Sequence, residues 1–141
     1  MQVQPYLSFE GRCEEAINFY KKAMNAEVVH KHYFKEAPDQ SMVTPENSGK
    51  IMHSMLRVGQ TTFMASDGRC GGKSTFEGIT MNVMTDTEAE AEKIFAALGD
   101  GGQITMPMTP TFFAARFGMV QDRFGVHWMI MKPTPFEPSK H

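Results

Sequence analysis

Gly78-Ile79-Thr80-Met81-Asn82-Val83-Met84-Thr85-Asp86-Thr87-Glu88 is the stretch that decides how the chain is organised. Gly78 to Met84 has strand character. Thr85-Asp86-Thr87-Glu88 then sets a threonine three residues before a glutamate, the spacing of a helix capping box. Behind it, Ala91, Ile94, Phe95 and Leu98 recur as one apolar helix face, and Gly99 with Gly101-Gly102 closes the helix. Three strands follow, at Gln103 to Pro107, Phe113 to Gln121 and Val126 to Lys132, the last two separated by a turn at Asp122-Arg123-Phe124-Gly125. The order is strand, helix, strand, strand, strand.

The same order precedes it. Val3 to Phe9 reads as a strand that Gly11 breaks, and Cys13, Ala16, Ile17, Tyr20 and Met24 then fall on one helical face. Glu14 and Glu15 open that helix and Lys21 and Lys22 close it, as the helix dipole favours, with Asn25 as the stop. Glu27 to Lys35 is a strand, Ala37 to Lys50 a loop, and Ile51 to Val58 and Thr61 to Ser66 a hairpin joined at Gly59-Gln60. The unit is therefore used twice, roughly 75 residues apart. One such unit has an apolar sheet face that it cannot bury alone. The expected architecture is α+β: two paired βαβββ repeats forming a curved mixed sheet with a barrel-like cavity. A single domain over 1–141 is expected, with repeat one at about 1–68, a linker at 69–75, repeat two at about 76–132 and a tail at 133–141.

Composition narrows the function. Of 141 residues, 41% are hydrophobic and 21% charged, which is ordinary for a globular chain. A formal charge of -2 without any basic stripe argues against a nucleic-acid partner. No apolar run approaches the ~20 residues of a spanning helix, and the first residues carry no secretory pattern, so no membrane partner is expected. Cys13 and Cys70 make neither a disulfide framework nor a zinc cluster, and a cytoplasmic setting is the default. The 13 methionines suit either a soft core or a pliable apolar pocket.

Several motifs carry a resemblance. Pro5-Tyr6-Leu7-Ser8-Phe9-Glu10-Gly11-Arg12-Cys13-Glu14-Glu15-Ala16 with Phe19-Tyr20, Met52-His53-Ser54-Met55-Leu56, Met106-Pro107-Met108 and the run from Arg116 to Ile130 resemble the PhnB-like branch of the glyoxalase/bleomycin-resistance/extradiol-dioxygenase superfamily, also called vicinal oxygen chelate. The resemblance covers nearly the whole chain. Members of the branch also carry a demethylubiquinone methyltransferase description, but this chain has no glycine-rich strand-to-helix turn for a nucleotide-like cofactor. Metal-dependent members hold their ion with His, Gln or Glu on the first and last strands of each half. The matching positions here are Pro5, Phe63 or Met64, Thr80 and Met129, which do not form an N/O shell. No metal at that site and no cofactor are therefore expected.

The residues left for function are few. His53, in a methionine-rich strand, is the candidate general base, since an imidazole titrates near ~6.5. Arg116 in an apolar strand is either a salt-bridge partner, to Asp122 or Asp67, or an anchor for a carboxylate or phosphonate. Alternation aims Leu7 and Phe9, Thr80, Asn82 and Met84, and Met129 and Met131 at the ancestral metal centre, so these are the expected ligand-binding residues. His127 shares the face of Met129. His30 and His32 share a strand face, and two ligands are not a metal site; His141 carries no argument. The expected function is small-molecule binding, extending to metal-independent chemistry on a small anionic substrate. The alternatives are a metal-dependent lyase, isomerase or dioxygenase with a relocated site using His53 and His127, and a drug-sequestering resistance-type protein. A homodimer is expected, because each half-sheet leaves strand edges that a partner covers.

Overall fold

The computed structural model describes residues 1–68, 70 and 73–134. The chain divides into two compact units, Met1–Ser74 and Thr75–His141. The first unit runs β1 (Tyr6–Ser8), α1 (Cys13–Met24), β2 (Glu27–Tyr33), β3 (Ile51–Val58) and β4 (Thr61–Ser66). The second runs β5 (Thr80–Met84), α2 (Glu88–Gly99), β6 (Gln103–Thr109), β7 (Ala114–Gln121) and β8 (His127–Pro133). The repeat read from element order is present in both.

The two sheets have the same topology, β1-β4-β3-β2 and β5-β8-β7-β6. In each, the last strand lies between the first and the third, parallel to the first and antiparallel to the third. They are two separate four-stranded sheets and are not closed into a barrel, which corrects the barrel-like part of the expectation.

Apolar periodicity explains how each sheet acquires its helix. In α1, Cys13, Ala16, Ile17, Tyr20, Ala23 and Met24 are buried. They meet the sheet face that carries Leu7, Leu56, Phe63 and Ala65, with the Tyr20 ring 6.3 Å from Phe63 and 6.2 Å from Phe9. Asn25 ends α1 in the left-handed conformation, φ 56°, where its short polar side chain is tolerated. In the second unit, α2 buries Ala91 and Leu98. Phe95 lies over Gly118 of β7, where an added Cβ would come within 2.6 Å of the ring. Gly118 is the space that lets this helix approach.

Two buried carboxylates fix the ends of strands. Asp67, just after β4, accepts from the Cys13 N–H with one oxygen and from the Ile51 N–H with the other, both at 2.7 Å. Arg12 at the cap position of α1 contributes no side-chain cap, so Asp67 supplies it from across the unit. Asp122, just after β7, accepts from Phe124 N–H at 2.9 Å, Val126 N–H at 3.0 Å and Trp128 Nε1–H at 2.8 Å.

Several boundaries differ from the sequence reading. β1 is confined to three residues, and Glu10 and Gly11, with φ of 48° and 103°, turn the chain into α1. The cap of α2 is Thr87 rather than Thr85: Glu90 N–H donates to Thr87 Oγ1 at 3.1 Å. Thr85 is instead buried, held by its N–H on the Met131 carbonyl at 2.8 Å. Threonine and glutamate recur at the same spacing two residues later, and the tertiary hydrogen bond selects the second pair. β6 runs on to Thr109 through Pro107, with register shifts against β7. Of the expected tail, Pro133 belongs to β8, and residues 135–141, including His141, lie outside the described residues.

Candidate functional site

Each sheet has a face covered by its own helix and a face turned away from it. Register assigns every candidate residue to one or the other. In the first unit Leu7 pairs with Ala65 and Ala65 with Ser54, so these three share the helix side. Leu7 and Phe9, 5% and 3% exposed, are therefore core under α1 and not ligand-facing, contrary to the expectation. The parity of β1 runs the other way: the two wholly apolar side chains are buried against the helix, and Tyr6, with its hydroxyl, takes the opposite face. The same parity resolves the choice between Phe63 and Met64. Phe63 packs on Tyr20, and Met64, paired with Tyr6 and with Met55, is on the face away from the helix.

That face carries a row of imidazoles. Met55 pairs with His30 and His53 with His32, which brings the three histidines of β2 and β3 together. The rings of His30 and His53 stack at 5.1 Å, and His30 and His32 are 5.5 Å apart. Tyr6 Oη lies 3.1 Å from His53 Nδ1. Burial, followed by the charges of His30 and His32, holds the His53 imidazole below the ordinary histidine range, so it is neutral at pH 7. Tyr6 was not singled out from the sequence. Its alternation with Leu7 and Phe9 is the signal that could have found it.

In the second unit, rows of the sheet bring the expected residues into line. Thr80 pairs with His127, Asn82 with Met129 and Met84 with Met131. Farther along the same rows, Met129 pairs with Met119 and His127 with Gln121. Thr80, Asn82, Met84, His127, Met129 and Met131 thus share one face. Arg116 does not join them. Its guanidinium reaches Glu88 at 3.3 Å and Glu92 at 3.1 Å, both on α2, which places it on the helix side. The salt-bridge reading holds, with other partners than those named: Asp67 and Asp122 are engaged by buried donors instead. The placement removes Arg116 from the ligand-facing set, since β7 turns it toward the acids of the helix.

Neither cysteine is poised for chemistry. Cys13 is buried, and desolvation with the nearby Asp67 charge pushes its thiol up to about 12. Burial also raises the thiol of Cys70. Among the described residues no three His, Cys, Asp or Glu side chains converge as a metal shell. The superfamily metal positions do not fit an ion either, because Pro5, Met64, Thr80 and Met129 offer one hydroxyl and two thioethers. His53 and His127 belong to different units.

Two four-stranded mixed sheets of βαβββ order, each with one helix, define the glyoxalase/bleomycin-resistance fold. A domain of that description from Frankia sp. EAN1pec superposes with a TM-score of 0.64 at 11% identity, over 94% of this chain and 95% of the other. The family described as 3-demethylubiquinone-9 3-methyltransferase matches residues 1–131, and the chain belongs to it. It is 36% identical over 138 residues to Protein YjdN of Escherichia coli K12, covering 92% of this chain and 94% of that one. Protein PA1353 from Pseudomonas aeruginosa has a similar structure, with 38% identity and a TM-score of 0.82 over 94% and 97% of the two chains. A Bacillus cereus protein described as a putative 3-demethylubiquinone-9 3-methyltransferase, PhnB protein, is 27% identical with a TM-score of 0.78, over 94% and 99%.

Proposed function

We propose that this protein binds a small molecule on the face of its second sheet turned away from α2, and that it does so without the superfamily metal. The observation that carries the reading is the alignment of Thr80, Asn82, Met84, His127, Met129 and Met131 in adjacent rows of β5 and β8. Three thioethers give a deformable apolar surface, and a hydroxyl, an amide and an imidazole give a few directional contacts, the usual make-up of a ligand site. Met84 is 66% exposed, so the face has apolar area to offer. A ligand with an apolar body and one or two polar groups matches it.

Methyl transfer, the activity in the family's description, is not part of this reading. Nucleotide-type cofactors bind where parallel strands reverse order, whereas each sheet here has a single parallel pair at one edge. A homodimer belongs to the reading, because β2 and β6 end their sheets with unpaired edges. Light scattering at micromolar concentration would show twice the chain mass if this is right. A reducing, cytoplasmic setting suits the free thiols of Cys13 and Cys70.

The test uses methionine methyl NMR on the whole chain, titrated with small organic acids and with neutral aromatic amides. Binding should move the methyl signals of Met84, Met129 and Met131 together, and Asn82→Ala should weaken it. Shifts confined to methionines of the first unit, or none with either class, would overturn the assignment.

A further inference from the structure

Two imidazoles on the first sheet differ in what their Nδ1 atoms meet. Tyr6 Oη meets His53 Nδ1 at 3.1 Å, and His30 Nδ1 is buried with no hydrogen-bond partner. We assign the Tyr6 hydroxyl as the donor to a bare Nδ1 of neutral His53, which leaves the ring proton on Nε2. At His30 an orphaned N–H would be costlier than an orphaned lone pair, which again puts the proton on Nε2. Nε2 is the ring nitrogen farther from Cβ, and the two rings are within 30° of parallel. The two stacked rings, 5.1 Å apart on the face away from α1, therefore each carry an Nε2–H.

We propose that this histidine face is an oxyanion site, in which the Nε2–H groups of His30 and His53 take two oxygens of a carboxylate, phosphate or phosphonate group. Donors fixed in one tautomer suit a pure acceptor, and an anion accepts more strongly than a neutral oxygen. The charge environment agrees. β1 brings Tyr6, β2 brings His30 and His32, and β3 brings His53 and, farther along, Arg57, which is paired with Glu27 at 3.7 Å. β4 brings Met64 and Thr62, neither ionisable. No carboxylate is ion-paired with the three imidazoles among the described residues. A bound anion favours the charged imidazolium over the neutral ring, so binding takes up a proton and tightens as pH falls. This site lies in the first unit and is independent of the reading of the second sheet.

The experiment is histidine-selective 15N NMR on the whole chain, alone and with inorganic phosphate, methylphosphonate or acetate. In the free protein, His30 and His53 should both show the Nε2–H tautomer, with His53 titrating below the ordinary ~6.5. Methylphosphonate should raise the His53 titration midpoint, and affinity should be higher at pH 5.5 than at 7.5. His30→Gln and His53→Gln should each weaken binding at least about tenfold, the scale of a lost charge-assisted bond. A response to phosphate and methylphosphonate alone assigns a tetrahedral anion, and a response to acetate as well assigns any oxyanion. An Nδ1–H tautomer at either histidine, or no movement of His53 with all three anions, overturns the proposal. The wild-type titration decides it even if a variant does not fold.

Discussion

Asp122→Asn tests how the second unit is held together. Asp122 is 3% exposed and its two oxygens divide the work: Oδ1 takes the Phe124 and Val126 N–H groups, and Oδ2 takes Trp128 Nε1–H. An amide in its place can keep the first pair, but it then points an NH2 at the indole N–H. One hydrogen bond to a charged group is lost, at about 1.5–3 kcal/mol, and two donors are left facing each other. The expected loss is about 2–4 kcal/mol, read as a lower urea midpoint at unchanged slope. Trp128→Phe removes the opposing donor. In a double-mutant cycle, Asp122→Asn with Trp128→Phe should therefore cost at least about 1 kcal/mol less than the sum of the singles. Additivity within about 0.5 kcal/mol, or a single variant as stable as the parent, would refute the reasoning.

Other outcomes follow from single contacts. Gly102→Ala should destabilise by about 3 kcal/mol by urea melt, because a Cβ there meets the Gln121 carbonyl oxygen and the Asp122 backbone, which cannot swing aside. Arg116→Ala should cost under about 1 kcal/mol, since Glu88 and Glu92 are half-exposed, and should leave ligand affinity at the second sheet within about twofold. Cys13 ionises near 9.0 when unfolded and near about 12 when folded, so stability should fall as pH rises from 9 toward 12. The slope attributable to Cys13, at most about 1.4 kcal/mol per pH unit, is the difference between parent and Cys13→Ala. His53 has the opposite sign: its folded form binds a proton less readily, so stability should fall as pH drops below ~6.5, and His53→Gln should flatten that decline.

Most of the fold was legible because its signals are local. The β3–β4 hairpin matched its expected bounds, Ile51–Val58 and Thr61–Ser66, since apolar runs flank Gly59-Gln60 and few other conformations suit that pattern. The stop of α1 at Asn25 was equally local. What the sequence withheld was parity. In β1, alternation separates Tyr6 from Leu7 and Phe9, but it does not say which set meets a helix, and assigning the set containing Pro5 to the ligand side inverted the strand. Arg116 misled for a related reason. Its partners Glu88 and Glu92 sit one helical turn apart on α2, a spacing visible in the sequence, whereas their distance from β7 depends on the fold. The histidine row needed both the β2–β3 register and its irregularity after Val28, and neither is written in a single strand. The second-sheet row was easier, because β5 and β8 align in parallel without a shift.

The insertion of each closing strand between the first and the third also sets an order of events during synthesis. Tyr6 waits for Met64, and Thr80 for His127, whereas β3 and β4 find each other across two residues. Local hairpins form in microseconds, but a loop of this length must close before the parallel pair contributes anything. β1 and β5 are then the last strands to dock and, in the folded chain, the first to open, β1 all the more because it has only three residues. A nascent chain halted just before His127 would lack β8 and leave β5 with no neighbour in its sheet. Its β6–β7 pair would stand as a two-stranded ribbon with only α2 packed against it. The second unit acquires a sheet only when its final strand leaves the ribosome.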